Sequence, residues 1–263
     1  MAEEETEQLA AMKPQVYKDP RPKEYFDRFH ERARKRPPDP MYEIVRSVVA
    51  VVAYLFFRMR PIAAELVPAS GPVILAPNHF SFFDHFFLAV ALRRKVRFMA
   101  KSQLFAPPMQ FVYTHGGVFP VRRGHRDDDA FITAEMILER GGCVAMYCEG
   151  GRSRTGKLSE QAKPGIGRLA LETGAPVVPV AIYGSSKVRN WKKLQFPKVT
   201  VMYGAPFRFE KVAEPTREQS QVAADEIFDE IKALYAELER VGRKAAVRQW
   251  RLERRSRRRT AHA

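Results

Sequence analysis

Residues 73–84 read Val-Ile-Leu-Ala-Pro-Asn-His-Phe-Ser-Phe-Phe-Asp, an apolar run followed at once by a histidine and, five residues further on, a carboxylate. The run has the length of a strand buried on both faces, and the residues beyond it take up helical spacing. The stretch therefore predicts a strand, a turn and a helix in immediate succession. The same alternation recurs downstream, with short apolar or β-branched runs at 96–101, 117–121, 143–148, 177–183 and 199–203. Helically spaced segments at 82–93, 107–114, 127–140 and 164–173 separate them. This order predicts an α/β fold, with a mostly parallel central sheet flanked by helices, over residues 63–215.

Working outward, residues 1–40 form a proline-rich charged arm with six prolines, nine acidic and nine basic residues, expected to be mostly extended with a short helix at 24–35. Residues 41–62 read as an apolar interfacial helix, flanked by Arg46, Arg58 and Arg60 and stopped near its end by Pro61. On the C-terminal side, Thr216 and Gln219 form a capping box that opens an amphipathic helix over 216–242. Its stripe of Ile227, Ile231, Leu234, Leu238 and Val241 suits packing on the domain better than a coiled coil, because the heptads run out within four turns. A basic tail, 243–263, closes the chain.

The 263 residues carry 45 Lys and Arg against 30 Asp and Glu, a net charge of +15. Residues 243–259 alone hold nine basic residues against Glu253, so more than half of the excess sits in the tail. Such a surface favours anionic lipid, nucleic acid or phosphorylated ligands. Cys143 and Cys148 fall within one predicted strand, where they point to opposite faces and out of bonding reach. They read as reduced, buried hydrophobes. The longest uncharged apolar run, residues 48–57, spans only about 15 Å as a helix, too short for a bilayer core of ~30 Å. It begins too late, after too acidic a start, for a signal peptide. The expected location is the cytoplasmic face of a membrane, peripheral or monotopic.

His79 and Asp84 cannot meet within one regular helix, but they can if His79 lies in the turn before it. A carboxylate on Nδ1 then fixes the tautomer and leaves Nε2 as a general base. This is the logic of a hydrolase triad without its serine, so the hydroxyl must come from a substrate. Read without chemistry, Asp84 is the N3 partner of a helix capped by Ser81. Phe80, Phe82, Phe83, Phe86 and Phe87 crowd the same turn, and both core packing and an acyl-chain channel account for them. Two further predicted strand ends carry Arg122 and Arg123, and Glu149, Gly150, Gly151 and Arg152. In open α/β sheets such ends converge on the ligand. Arginine forks and glycine-exposed N–H groups suit phosphate oxygens.

In these blocks the sequence resembles the glycerolipid acyltransferases of the lysophosphatidate acyltransferase type. Four blocks match in order: Asn-His-x4-Asp at 78–84, Gly-x-x-Pro-x-x-Arg-Gly at 117–124, Glu-Gly-x-Arg-Ser at 149–153 and Val-Pro-Val at 178–180. The resemblance spans roughly residues 65–207. It implies transfer of a fatty acyl group from acyl-CoA or acyl carrier protein to lysophosphatidate at an anionic membrane surface, with no metal and no other cofactor. It implies His79 as base, Asp84 as its orienting partner, and Lys101, Arg123 and Arg152 as holders of the acceptor phosphate. Glu149 and Gly150 would shape the acceptor pocket and Pro179 the wall beside it. The family's third block commonly reads Phe-Pro-Glu-Gly-Thr-Arg, whereas this chain has Tyr147-Cys148-Glu149-Gly150-Gly151-Arg152. That departure leaves another lysolipid or glycolipid acceptor open.

Rival classes fit less well. Gly151-x4-Gly156-Lys157 resembles a Walker loop, but Leu158 stands where Ser or Thr would hold magnesium. Gly151-Arg152-Ser153-Arg154-Thr155 misses the second glycine of a hydrolase elbow. A nucleic-acid-binding protein would account for the tail but not for the His79 and Asp84 pair. No histidine pair has ligand spacing for a metal.

Overall fold

The computed structural model describes residues 18–123 and 127–260. Residues 1–17 of the arm, Gly124 of the second block and residues 261–263 of the tail lie outside the described residues. The strands are β1 (Arg60–Ile62), β2 (Val73–Pro77), β3 (Val96–Lys101), β4 (Phe119–Val121), β5 (Cys143–Ala145), β6 (Val177–Tyr183) and β7 (Thr200–Tyr203). Among the described residues they form one sheet in the order β1-β7-β6-β2-β5-β3-β4. Every pairing is parallel except β6 with β7. The helices are α1 (Glu24–Lys35), α2 (Pro40–Leu55), α3 (Asp84–Ala91), α4 (Met109–His115), α5 (Asp128–Glu139), α6 (Gly165–Thr173) and α7 (Arg217–Thr260).

The central strand β2 is buried at every position, as expected of a parallel strand covered on both faces. Val73 and Leu75 pack into the layer that holds Phe87 and Leu88 of α3. Ile74 and Ala76 pack into the opposite layer, with Ile137 of α5 and Leu169 of α6. Cys143 and Cys148 divide between the same two layers, buried and unbridged, although β5 itself ends at Ala145.

Three segments differ from the sequence reading. The arm, over its described part, packs on the domain. Phe26, Phe29, His30 and Ala33 of α1 are buried at spacings of three, four and seven, the stripe of an amphipathic helix. The buried Arg97 anchors the end of α1, donating to Ala33 O (3.0 Å), Arg36 O (3.2 Å) and Gly117 O (2.7 Å). Arg21, paired with Asp19 at 2.7 Å, donates to Ser102 O and Phe105 O and pins the segment that follows β3. The second difference is that Pro61 does not stop α2. That helix ends at Leu55, the chain turns at Arg58 (φ 44), and Pro61 lies in β1. There, at a sheet edge, its missing N–H costs nothing.

The third difference is the tail, whose described part is helical. The capping box forms as expected, with Thr216 N donating to Gln219 Oε1 and Gln219 N to Thr216 Oγ1. Beyond a break at Gly242 (φ 73), α7 continues to Thr260 and buries Ala246. The helix owes its position to Gly167 of α6, where a methyl group would sit on the Ser220 carbonyl and the Ala224 amide. Only glycine permits that approach.

Candidate active site

The site lies at the C-terminal ends of four neighbouring parallel strands. His79 follows β2, Lys101 ends β3, Arg123 follows β4, and Tyr147 and Arg152 follow β5. All five line one cavity of about 170 Å³. The polypeptide reverses at Asn78, whose side chain completes a ladder with β6: its Nδ2 donates to Ile182 O, and its Oδ1 accepts from Ile182 N at 2.7 Å. A buried amide that imitates a strand rung frees the next residue from the sheet.

His79 Nδ1 donates to Asp84 Oδ2 at 2.9 Å. The same oxygen accepts from Phe80 N and Ser81 N, each at 2.7 Å. Asp84 is wholly buried. Half of the predicted capping box is therefore present, namely the carboxylate on the Ser81 amide, whereas the Ser81 hydroxyl accepts from Phe83 N. The cap and the histidine contact share one oxygen, so the structural and chemical readings of Asp84 hold together.

Burial pushes the His79 ring below its ordinary value, Asp84 pulls it back up, and Arg152 and Arg123 push it down. The imidazole is thus neutral near pH 7, with Nε2 unprotonated while Asp84 holds the proton on Nδ1. Burial and the same two arginines lower Lys101. Three cations turned on one small cavity repel one another, and an anion between them relieves that repulsion.

Glu149 and Pro179 stand elsewhere than on the cavity wall. Glu149 accepts from His79 N (2.7 Å) through one oxygen and from Ser159 N (3.1 Å) through the other. It holds the histidine loop from behind. Gly150, at φ +65, makes the turn that lets it do so. Pro179 lies in β6, opposite Ala76, with its ring against Gly204. Among the polar groups that the motifs did not single out are Tyr147 and His85. The Tyr147 ring stacks on His79 with centroids 3.8 Å apart and an 18° tilt. His85 lines the cavity, and burial depresses it to about 3. Their place in the sequence, one beside Glu149 and the other beside Asp84, was the available signal.

Burial raises Glu149 to about 7, against the pull of its two N–H donors. Ionising it therefore costs the folded state: its contribution to stability is complete below about 4.5 and is lost as pH rises through about 7. Glu149→Gln should start about 1 kcal/mol less stable, because an amide accepts from only one of the two donors. Its unfolding midpoint should then vary less than the parent's between about pH 5 and 8. Equal slopes in thermal melts would assign the pH dependence to other groups.

A second, apolar cavity of about 160 Å³ lies between α2, α3 and α4 and shares Phe82, His85, Phe98, Tyr113 and Val118 with the first. Of the five phenylalanines at the turn, Phe80 and Phe87 are fully buried core residues, while Phe82 and Phe86 line this cavity.

A histidine–carboxylate pair and three cations thus stand together at the ends of parallel strands. Residues 59–183 match the family model described as Acyltransferase. Among individual proteins, the chain is 28% identical over 149 residues to the chloroplastic 1-acyl-sn-glycerol-3-phosphate acyltransferase BAT2 of Brassica napus, covering 55% of this chain and 43% of that one. It is 30% identical over 134 residues to the human 1-acyl-sn-glycerol-3-phosphate acyltransferase beta, covering 49% and 48%. The chain thus spans less than half the length of these relatives. The crystal structure of the 1-acyl-sn-glycerophosphate acyltransferase PlsC from Thermotoga maritima shares the fold, with a TM-score of 0.56 at 21% identity over 82% of this chain and 89% of that one.

Proposed function

We propose that the protein transfers a fatty acyl group from an acyl thioester to the free hydroxyl of lysophosphatidate, giving phosphatidate. The observation that carries this reading is the single cavity holding His79 beside Lys101, Arg123 and Arg152. Nε2 takes the acceptor's hydroxyl proton as that oxygen attacks the thioester carbonyl carbon. The tetrahedral oxyanion then collapses, the C–S bond breaks, and the imidazolium returns the proton to the leaving thiolate. Asp84 steadies the imidazolium between the two transfers. The cations hold the acceptor phosphate so that its hydroxyl meets Nε2, and the apolar cavity takes the acyl chain. The donor is acyl-CoA or acyl carrier protein, with no metal or other cofactor. Purified protein in lipid micelles, offered a panel of lysolipids with either donor and read by mass, should form phosphatidate from lysophosphatidate. A product from a neutral lysolipid alone would reassign the acceptor.

Substrates of this kind are delivered from a bilayer. No helix among the described residues is long and apolar enough to cross one. Instead, α2 exposes Ile44, Val48, Val51 and Leu55, a stripe at spacings of four, three and four that suits lying in the interface. Arg46 is drawn inward to Leu92 O, Arg93 O and Glu43. Arg58, Arg60, Arg243 and Lys244 instead line one groove with Tyr54 at the end of α2. The stripe and the groove support a place on an anionic membrane surface, at its cytoplasmic face, over a nucleic-acid partner. In flotation with anionic vesicles, strong salt should release the protein only in part, since apolar insertion survives screening. Val51→Glu with Leu55→Glu should weaken binding about 100-fold or more, from the loss of two buried aliphatic side chains. Complete release of the parent by salt would remove α2 as the anchor.

A further inference from the structure

Two buried polar atoms beside His79 have no hydrogen-bond partner among the described residues: Oδ1 of Asp84 and the hydroxyl of Tyr147. Unpaired buried acceptors and donors are costly and rare, and two in one place call for a common explanation. Oδ2 of Asp84 already accepts from three N–H groups, so Oδ1 carries whatever remains of the carboxylate's hydrogen-bonding capacity. The Tyr147 ring lies flat on the His79 ring, and His79 in turn bonds Asp84. The phenol and the carboxylate thus both stand against the same imidazole. Burial raises the phenol well above its ordinary value, and the charge that raises it further is that of Asp84.

We propose that the Tyr147 hydroxyl donates to Oδ1 of Asp84, directly or through one bridging water, and that Tyr147 is a positioning residue for the His79 base. The inference rests on the acyl-transfer reading above and adds a residue to it. The ring holds one face of the imidazole, and the hydroxyl holds the carboxylate that orients it. A hydrogen bond on Oδ1 also draws charge from Asp84 and weakens its pull on the imidazolium. The other groups that face this pair are His85 from α3, Lys101 at the end of β3, Arg123 after β4, and Glu149 and Arg152 after β5. All of them are unchanged in a Tyr147→Phe protein.

Tyr147→Phe keeps the stacked ring and removes only the hydroxyl. The His79 ring is titrated by NMR in the parent and the variant, and kcat and KM are measured across pH. The expected result is a His79 pKa raised by about 0.5 to 1 unit, the scale of one hydrogen bond to a carboxylate. The acid limb of kcat/KM should move with it, and kcat should fall several-fold at constant acceptor KM. An unshifted ring titration and an unshifted limb overturn the proposal and leave Tyr147 a packing residue. The NMR titration needs no turnover, so it judges Tyr147 even if a His79→Ala enzyme proves active and the acyl-transfer mechanism fails.

Discussion

A His79→Ala enzyme should lose acyl transfer by about 100- to 10,000-fold, the usual worth of a positioned general base. Its affinity for lipid should be nearly unchanged. The effect is specific because little else depends on the ring: Asp84 keeps the amides of Phe80 and Ser81, so the turn survives the loss of the imidazole. Turnover of the parent should depend on pH with a definite sign. The base acts when neutral, and burial with Arg152 and Arg123 holds His79 below its ordinary value. Activity should therefore be flat near neutrality and fall only as pH drops through that lowered value. Steady-state assays of the variant, with vesicle binding as the control, check the first point. Normal turnover by the alanine variant would remove His79 from the mechanism.

Arg123→Ala should raise the acceptor KM about 10- to 100-fold, the cost of one charge-assisted hydrogen bond, at nearly constant kcat. A phosphate anchor binds substrate and transition state alike, because the phosphate does not react. The same variant should lose most of its preference for lysophosphatidate over a neutral monoacylglycerol. Lys101 and Arg152 share the cavity, so a residual preference is expected from them. A fall in kcat at constant KM would instead place Arg123 at the reacting carbonyl.

Particular residues show how far the sequence could be read. The run at 73–76 and the Thr216 and Gln219 box were legible because each rests on neighbours in the chain: an apolar strand before a turn, and two side chains that cap one helix end. The spacing of His79 and Asp84 likewise told which geometry would let them meet. The edge strand at Pro61 was not legible, since a proline after an apolar helix reads as its stop unless the partner strand β7 is known. The arm's helix was expected at 24–35, but its docking depends on Arg97 and Arg21, which gain their partners from segments over 60 residues away. The roles of Glu149 and Tyr147 were hidden for the same reason. One reaches a backbone amide, and the other a ring, in a loop some 70 residues earlier.

The chain's local chemistry, its apolar runs, caps and histidine–carboxylate spacing, determined the α/β class and the pairing of His79 with Asp84. Periodicity and short-range hydrogen bonding act between near neighbours and are written in residue order. Tertiary packing alone decided that Lys101, Arg123 and Arg152 share a cavity with His79, that Glu149 supports its backbone, that Pro179 stands apart, and that the described part of the basic tail is a helix. Those outcomes depend on which strands lie side by side in the sheet, and strand neighbours follow from burying two opposite faces at once.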